Sequence, residues 1–405
     1  MMLNKLYKEL DRVEWEITIV DQYKTHYYQP GFLFIPFGIY KKEDVIKPKH
    51  NFFPPGTRVI FSAIDRVIGE ENKVVLEDGK VLRYDYLIIA TGTETRPSET
   101  PGLKDKLWYK DIFDFYTIEG ALALHKRFKD WEGGNLVMCI PELPYKCPVA
   151  PIEFVCLAEA YFAERGMRDK VNISYVTLMS GAFTKPVASK MLGDLLKEKN
   201  IEVVPDFYLS HVDNDNKKII SYDDREIPFD ILTIVPVNMG SDMIERSGLG
   251  NDMNYVKTDK YTLQSEDFEN IFVIGDAANI PTSKAGSVAH FAAEILTENI
   301  LAAMEGRPLP AKFDGHANCY IETGYGKGAL IDFNYETEPL PGKFPFPIVG
   351  PMPLLKPSRI NHIGKAAFRW IYWHLLLRGR KIPFVPSRMK MSGKKRPDHA
   401  PGGQA

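Results

Sequence analysis

Cysteine is scarce: four residues in 405 are too few for the disulfide framework of a secreted scaffold, so any pair that forms is better suited to catalysis than to stapling. Long apolar runs are absent. No stretch reaches the roughly 18 residues that cross a bilayer, and no signal-peptide pattern opens the chain. Nothing points to a nucleic-acid partner or a metal site. The glycine-rich turn G-x-G-x-x-G is also missing; Gly324-Tyr-Gly-Lys-Gly328 has the wrong spacing and reads as a hairpin turn. The net charge of −2 hides an asymmetry. Of 51 Lys+Arg and 53 Asp+Glu, 12 basic residues and one acid lie from Pro351 onward, so the tail carries +11 and the body −13.

What is present centres on Glu269 to Ile300. Ile271 to Ile274 is a short β-branched run expected to be a buried strand, ending at Gly275-Asp276. Ser287 to Leu301 follows as a helix with Val288, Phe291, Ala292, Ile295 and Ile300 on its apolar side. A strand, a Gly-Asp turn and a helix N-terminus near Gly286 make a seat for a polar, electron-rich ring system, although a Gly-Asp alone is also an ordinary turn. Tyr86-Leu-Ile-Ile-Ala-Thr-Gly-Thr93 is a second strand end of this kind. Nearer the start, Asn4 to Asp11 has helical character, and the strand Glu16–Val20 ends at Asp21. An acid there takes adenosine ribose hydroxyls in a dinucleotide-binding unit; the alternative is an exposed strand-end carboxylate. Val59–Ile68 and Lys73–Leu82 read as an antiparallel ribbon, and Leu107–Trp131 as largely helical.

YDYLIIATGT followed by IFVIGDAA resembles the two-dinucleotide-binding-domain flavoprotein disulfide reductase superfamily. The resemblance implies FAD, with Ala90, Thr91, Gly92 and Gly275 passing near it and Asp276 holding the ribityl chain. Pro30, within the aromatic segment His26–Pro36, occupies the position of a flavin-pocket wall. Lys284 and the helix start at Gly286 are candidates to stabilise negative charge on the ring. The implied fold is α/β: two Rossmann-like domains, the first N-terminally truncated, and a C-terminal amphipathic region. The expected boundaries are 1–108 and 241–350 for the FAD domain, 109–240 for the second Rossmann-like domain and 351–405 for the tail. In the second domain the strand Gly133–Ile140 runs into Pro141-Glu-Leu-Pro-Tyr-Lys-Cys147-Pro-Val-Ala-Pro-Ile-Glu153. Prolines cannot supply the N–H cradle that a nucleotide pyrophosphate needs.

YKCPVAPIE and Asn318-Cys319-Tyr-Ile-Glu-Thr-Gly resemble the redox-cysteine segments of sulfide:quinone oxidoreductases. That likeness implies sulfide as substrate and membrane quinone as acceptor. It pairs Cys147 with Cys319 and makes Glu153 an acid/base, although a helix-start carboxylate is the equal alternative. Cys139 and Cys156 read as packing residues. Tyr320 and Phe368 match the aromatic residues around the quinone ring, and Lys365 a lysine near it. In the tail, Ile360–Leu377 places Ile363, Ala366, Ala367, Trp370, Ile371, His374 and Leu375 on one helical face, with Trp370, Tyr372 and Trp373 as interfacial aromatics. Peripheral attachment to an anionic lipid surface of the cell membrane follows, with a second copy of the chain as a candidate partner. The tail reads as separable, so that its loss would leave the sulfide half-reaction intact. Three other readings stay open: a flavocytochrome-type sulfide dehydrogenase, a type II NADH dehydrogenase, and an inactive, flavin-free relative. Because Asp21 and both strand-end turns surround a strand that is missing, the DNA upstream of Met1 is expected to encode, in frame, an apolar strand ending in G-x-G-x-x-G. A stop codon directly upstream, with the purified chain yellow, would rule this out.

Overall fold

The computed structural model describes residues 1–347 and 350–396; the last nine residues of the basic tail lie outside the described residues. Helix α1 (Met2–Glu9) buries Met2, Leu3 and Leu6. Strand β1 (Thr18–Val20) pairs in parallel with β2 (Arg58–Ile60). An antiparallel meander follows: β3 (Ile64–Ile68), β4 (Lys73–Leu76) and β5 (Val81–Arg83). The expected ribbon is thus divided. Residues 58–60 join β1 and only 64–68 enter the meander, because the parallel partner captures the first half of the run. Strand β6 (Leu87–Ile89) returns toward the glycine turn, where Gly92 adopts φ +72°.

The middle of the chain is a five-stranded parallel sheet. Its members are β7 (Ile112–Phe113), β8 (Gly134–Ile140), β9 (Val171–Thr177), β10 (Ile201–Val204) and β11 (Ile231–Ile234), in the order β7-β11-β8-β9-β10. Three helices connect them: α2 (Ile118–Asp130), α3 (Ala150–Glu164) and α4 (Pro186–Glu198). Leu136 to Ile140 is buried without a break, as a strand flanked on both edges and covered on both faces should be. The helix expected from Leu107 begins only at Ile118. Asp114 stops it: its buried carboxylate accepts the N–H groups of Tyr116 and Thr117 at 2.8 and 2.7 Å. Thr117 then caps α2 by accepting from Gly120 N at 3.0 Å.

Beyond the sheet, β12 (Ile271–Val273) pairs in parallel with β6, bringing Gly275-Asp276 beside the Ala90–Gly92 turn. Helix α5 (Gly286–Met304) follows. Strands β13 (Ala317–Gly324) and β14 (Lys327–Phe333) then form a hairpin that turns through Tyr325 and Gly326, both at positive φ. Helix α6 (Arg359–Ile371) lies on that hairpin, capped by Ser358, which accepts from Asn361 N. Its approach is close. A Cβ on Gly364 would stand 2.8 Å from the Tyr320 ring, so this position requires glycine. β13 also packs against α3, so the hairpin is held between the middle sheet's central helix and the tail helix.

Candidate functional site

Helix α3 is buried on nearly every side, and the one acid in its first turn, Glu153, has no exposed surface. A carboxylate so placed requires compensation. Oε1 of Glu153 accepts from Lys365 Nζ of α6 at 2.8 Å and from the peptide N of Glu322 at 2.8 Å; Oε2 has no partner among the described residues. Lys365 Nζ also donates to Tyr320 O at 3.2 Å and stands 5.9 Å above the Phe34 ring. Burial pushes the Glu153 carboxyl above the ordinary range, against the pull of Lys365. Burial works against the Lys365 ammonium too, but Glu153 and Cys147 outweigh it and hold the proton on.

Cys147 and Cys319 adjoin this ion pair. Burial pushes Cys147 up to about 12; the Glu153 charge adds to the shift and Lys365 opposes it. Cys319 is pushed up to about 11 by burial, with Lys365 and a Ser287 hydrogen bond opposing. All four cysteines are free thiols and no two stand at disulfide distance. Cys139 and Cys156 are fully buried in apolar clusters. Cys147 takes φ +53°, and its N–H donates to Lys284 O at 2.7 Å, which fixes the cysteine loop to the segment preceding α5.

That segment leads to a second group of charges. Lys284 Nζ donates to Asp276 O at 2.7 Å and Ala278 O at 3.3 Å, and lies 3.5 Å from the centre of the Tyr255 ring. Burial lowers Lys284 to about 8, with Asp276 opposing. The Asp276 carboxyl is raised by burial, with Lys284 and Lys146 opposing, and accepts no hydrogen bond from the described residues. Gly275 takes φ +72°, Gly286 opens α5, and Ala90 and Thr91 are exposed. Pro30 sits in the helical turn Gln29–Phe34, whose Gln29 accepts from Lys146 Nζ at 3.4 Å. Asp21 is already engaged: Lys49 pairs with its carboxylate, which also accepts from Tyr23 N at 2.9 Å.

On α6, Gly364 meets Tyr320 of β13, Lys365 meets Glu153, and Phe368 packs partly against the main core, so the inward stripe of α6 carries two of the expected quinone-side positions and faces the third. The opposite stripe is apolar and exposed: Ile363 by 57 % and Trp370 by 59 %. Two expectations need correction. Tyr372 and Trp373 are not interfacial. Tyr372 continues the inward stripe one turn after Phe368, and Trp373 follows it into the core, where Trp373 stacks on Phe52 at 5.6 Å and Tyr372 Oη stands 2.7 Å from His26 Nε2. Nor is the tail separable, because its lysine is the counter-ion of Glu153. Sequence reasoning missed Lys146, Tyr255, Ser287 and the Glu322–His362 pair; all enter through contacts between distant segments.

The loop 141–150 answers the question of a second nucleotide. The N–H groups of Leu143, Lys146, Cys147 and Ala150 are committed to Glu142, Asn238, Lys284 and Cys147, and three of its other residues are prolines. The N–H groups of Glu142, Tyr145 and Val149 that are left are not adjacent, so the loop offers no run of neighbouring donors for a pyrophosphate.

Residues 121–236 match the family described as the central part of the sulfide dehydrogenase (flavocytochrome c) flavoprotein chain. The chain is similar to the mitochondrial sulfide:quinone oxidoreductase of Dictyostelium discoideum, 29 % identical over 374 residues, covering 90 % of this chain and 80 % of that one. The mouse mitochondrial sulfide:quinone oxidoreductase is 28 % identical over 371 residues, with coverage of 90 % and 81 %. Among solved structures, the sulfide:quinone oxidoreductase of Aquifex aeolicus superposes with a TM-score of 0.76 at 20 % identity, covering 93 % of this chain and 88 % of that one.

Lys365→Met should destabilise the protein by about 3–5 kcal/mol by stranding Glu153. The sign with pH is fixed by the raised Glu153 carboxyl. Above the ordinary carboxylate range the unfolded chain has released a proton that the fold retains, so stability falls as pH rises, and more steeply without Lys365. Urea unfolding between pH 5 and pH 8 should therefore show a deficit in the variant that grows with pH.

Proposed function

We propose that this homologue of the sulfide:quinone oxidoreductases is an FAD-dependent oxidoreductase that oxidises sulfide through Cys147 and Cys319 and delivers the electrons to membrane quinone. The observation that carries the reading is the convergence of two thiols, a buried glutamate and a tail lysine around Glu153. Packing alone does not call for an ion pair beside two cysteines.

The residues at the two strand ends fit a flavin. Asp276 offers a half-buried carboxylate with accepting capacity to spare, Gly92 and Gly275 leave room for a close approach, and Lys284 with the α5 N-terminus supplies positive charge. When bound there, FAD supplies a two-electron acceptor next to the cysteine loop. In the oxidised protein hydrosulfide attacks one sulfur of a Cys147–Cys319 disulfide; an S–S bond forms to the incoming sulfur, and the other cysteine leaves as a thiolate. Burial makes that thiolate costly. Lys365 lowers the cost by charge, and Glu153, whose carboxyl keeps its proton to higher pH than an ordinary glutamate, is placed to exchange one there. A second hydrosulfide takes the outer sulfur away as hydrodisulfide, breaking the persulfide bond and leaving the cysteine thiol; re-forming the disulfide from the two thiols releases two protons and the two electrons that bound FAD would accept.

The quinone is assigned to the inward α6 stripe of Lys365 and Phe368 and to Tyr320 of β13 against it. The outward face of α6 enters the lipid surface with Ile363 and Trp370, and the exposed cations Lys356, Arg359, Arg378 and Lys381 meet anionic headgroups. This apolar outward face favours a membrane acceptor over a soluble cytochrome, and the occupied N–H groups of the 141–150 loop disfavour NADH.

Cys147→Ser and Cys319→Ser should each abolish sulfide-dependent quinone reduction while the bound flavin spectrum persists. Cys139→Ser and Cys156→Ser should cost only stability, about 1–2 kcal/mol. Equal loss of turnover in all four would overturn the assignment. Replacing both Ile363 and Trp370 with Glu leaves every contact to Glu153 in place, and should release the protein from anionic vesicles in sedimentation. Raising salt should weaken, but not eliminate, binding of the unaltered protein.

A further inference from the structure

One charged pair remains outside that account. Glu322, on β13, is 2 % exposed, yet among the described residues its carboxylate faces a single hydrogen-bonding partner. His362 Nδ1, on α6, stands 3.0 and 2.9 Å from its two oxygens, and the His362 side chain is 41 % exposed. His362 lies one turn before Lys365 on the same helix. Glu322 reaches the centre by its own backbone, since its N–H donates to Glu153 Oε1 at 2.8 Å. Imidazole and carboxyl therefore lead inward from solvent, and the charges of Glu153 and Lys365 both act on the Glu322 carboxylate at the inner end.

The remaining charged neighbours are few. Glu153 from α3 and Lys365 from α6 act on Glu322 directly. Tyr40 faces it from the segment after the Gln29–Phe34 turn, itself beside Arg369 and Asp44. Burial raises the Glu322 carboxyl, with the His362 hydrogen bond opposing and Glu153 adding. A packing role does not require a buried acid tied to a half-exposed imidazole, and imidazole is the side chain that exchanges protons near neutral pH.

The reaction needs such a route. Oxidation of hydrosulfide gives sulfane sulfur, one proton and two electrons; reduction of quinone to quinol takes two electrons and two protons. The sum is HS⁻ + quinone + H⁺ → sulfane sulfur + quinol, so each turnover draws one proton from solvent into a covered site. We propose that Glu322 and His362 form the proton inlet for quinone reduction, His362 taking the proton from solvent and Glu322 passing it to the Tyr320–Lys365 side of α6. In each passage Nε2 gains a proton, Nδ1–H gives one to a Glu322 oxygen, and the carboxyl gives it up as the quinone oxygen accepts it; a flip of the half-exposed ring then turns its N–H back toward Glu322. The inlet rests on the quinone reading above.

The test compares the intact flavoprotein with His362→Ala and Glu322→Gln in two assays. One is anaerobic bleaching of the flavin by sulfide; the other is steady-state reduction of a short-chain quinone. Bleaching should be unchanged, whereas quinone reduction should fall by about 10²-fold, with a larger solvent isotope effect. Added imidazole should restore the His362→Ala rate in proportion to its concentration, and should not restore Glu322→Gln. Unchanged quinone rates in both variants would overturn the inlet. So would equal loss in both assays without imidazole rescue, since that marks a structural role. An unaltered protein that bleaches with sulfide but reduces no quinone would instead overturn the functional reading itself.

Discussion

The buried ion pair between Glu153 and Lys365 is the constraint on which the rest depends. Moving two charges out of water costs several kcal/mol per ion, and Coulomb attraction offsets this only with good geometry and further hydrogen bonds. Here one carboxylate oxygen takes two donors, Lys365 Nζ and Glu322 N, each at 2.8 Å. The two residues are 212 positions apart, so the pair fixes the tail helix to the central helix of the middle sheet across the β13–β14 hairpin. Gly364 permits this, because any larger residue would push α6 off Tyr320 and draw the lysine away from the carboxylate.

The same pair explains an inversion in α6. A surface helix of a globular protein turns its apolar stripe inward. This one turns inward Asn361, Gly364 and Lys365, and presents Ile363 and Trp370 to the outside. Lys365 must reach Glu153, and at 3.6 residues per turn that choice sends Ile363 and Trp370 outward. The exposed apolar stripe is therefore a consequence of where the counter-charge is needed. A lipid surface is an environment in which it ceases to be a cost.

Local chemistry was legible from sequence; what crossed between segments was not. The apolar run before Gly275-Asp276, the turn at Gly92 and the hairpin at Tyr325-Gly326 all follow from periodicity and turn residues. The helix expected from Leu107 failed at Asp114, whose side chain competes for the very N–H groups a helix would leave free, a contest that periodicity does not register. Glu153 and Lys365 were each singled out, but for separate roles. That they are partners could not be read from composition or spacing, because it depends on how α6 lies across β13. Tyr372 and Trp373 misled for a related reason. Tyr372 lies on the same stripe as Lys365 and Phe368, so the counter-ion that turns that stripe inward takes the aromatics with it.

The charge balance then orders the remaining groups. Lys365 is the cation acting on Glu153, Glu322, Cys147 and Cys319 together. One ammonium in a dry site can sustain one full negative charge, and Glu153 already lies against it. Burial drives every acid in the cluster toward its protonated form, Glu153 included, and Lys365 opposes this at each of them. Any new negative charge at a cysteine must displace Glu153 from the lysine or take a proton from a neighbour. Chemistry at the sulfurs and protonation on the α6 side are thus tied through a single side chain, so a change in either is felt at the other without any movement of the backbone.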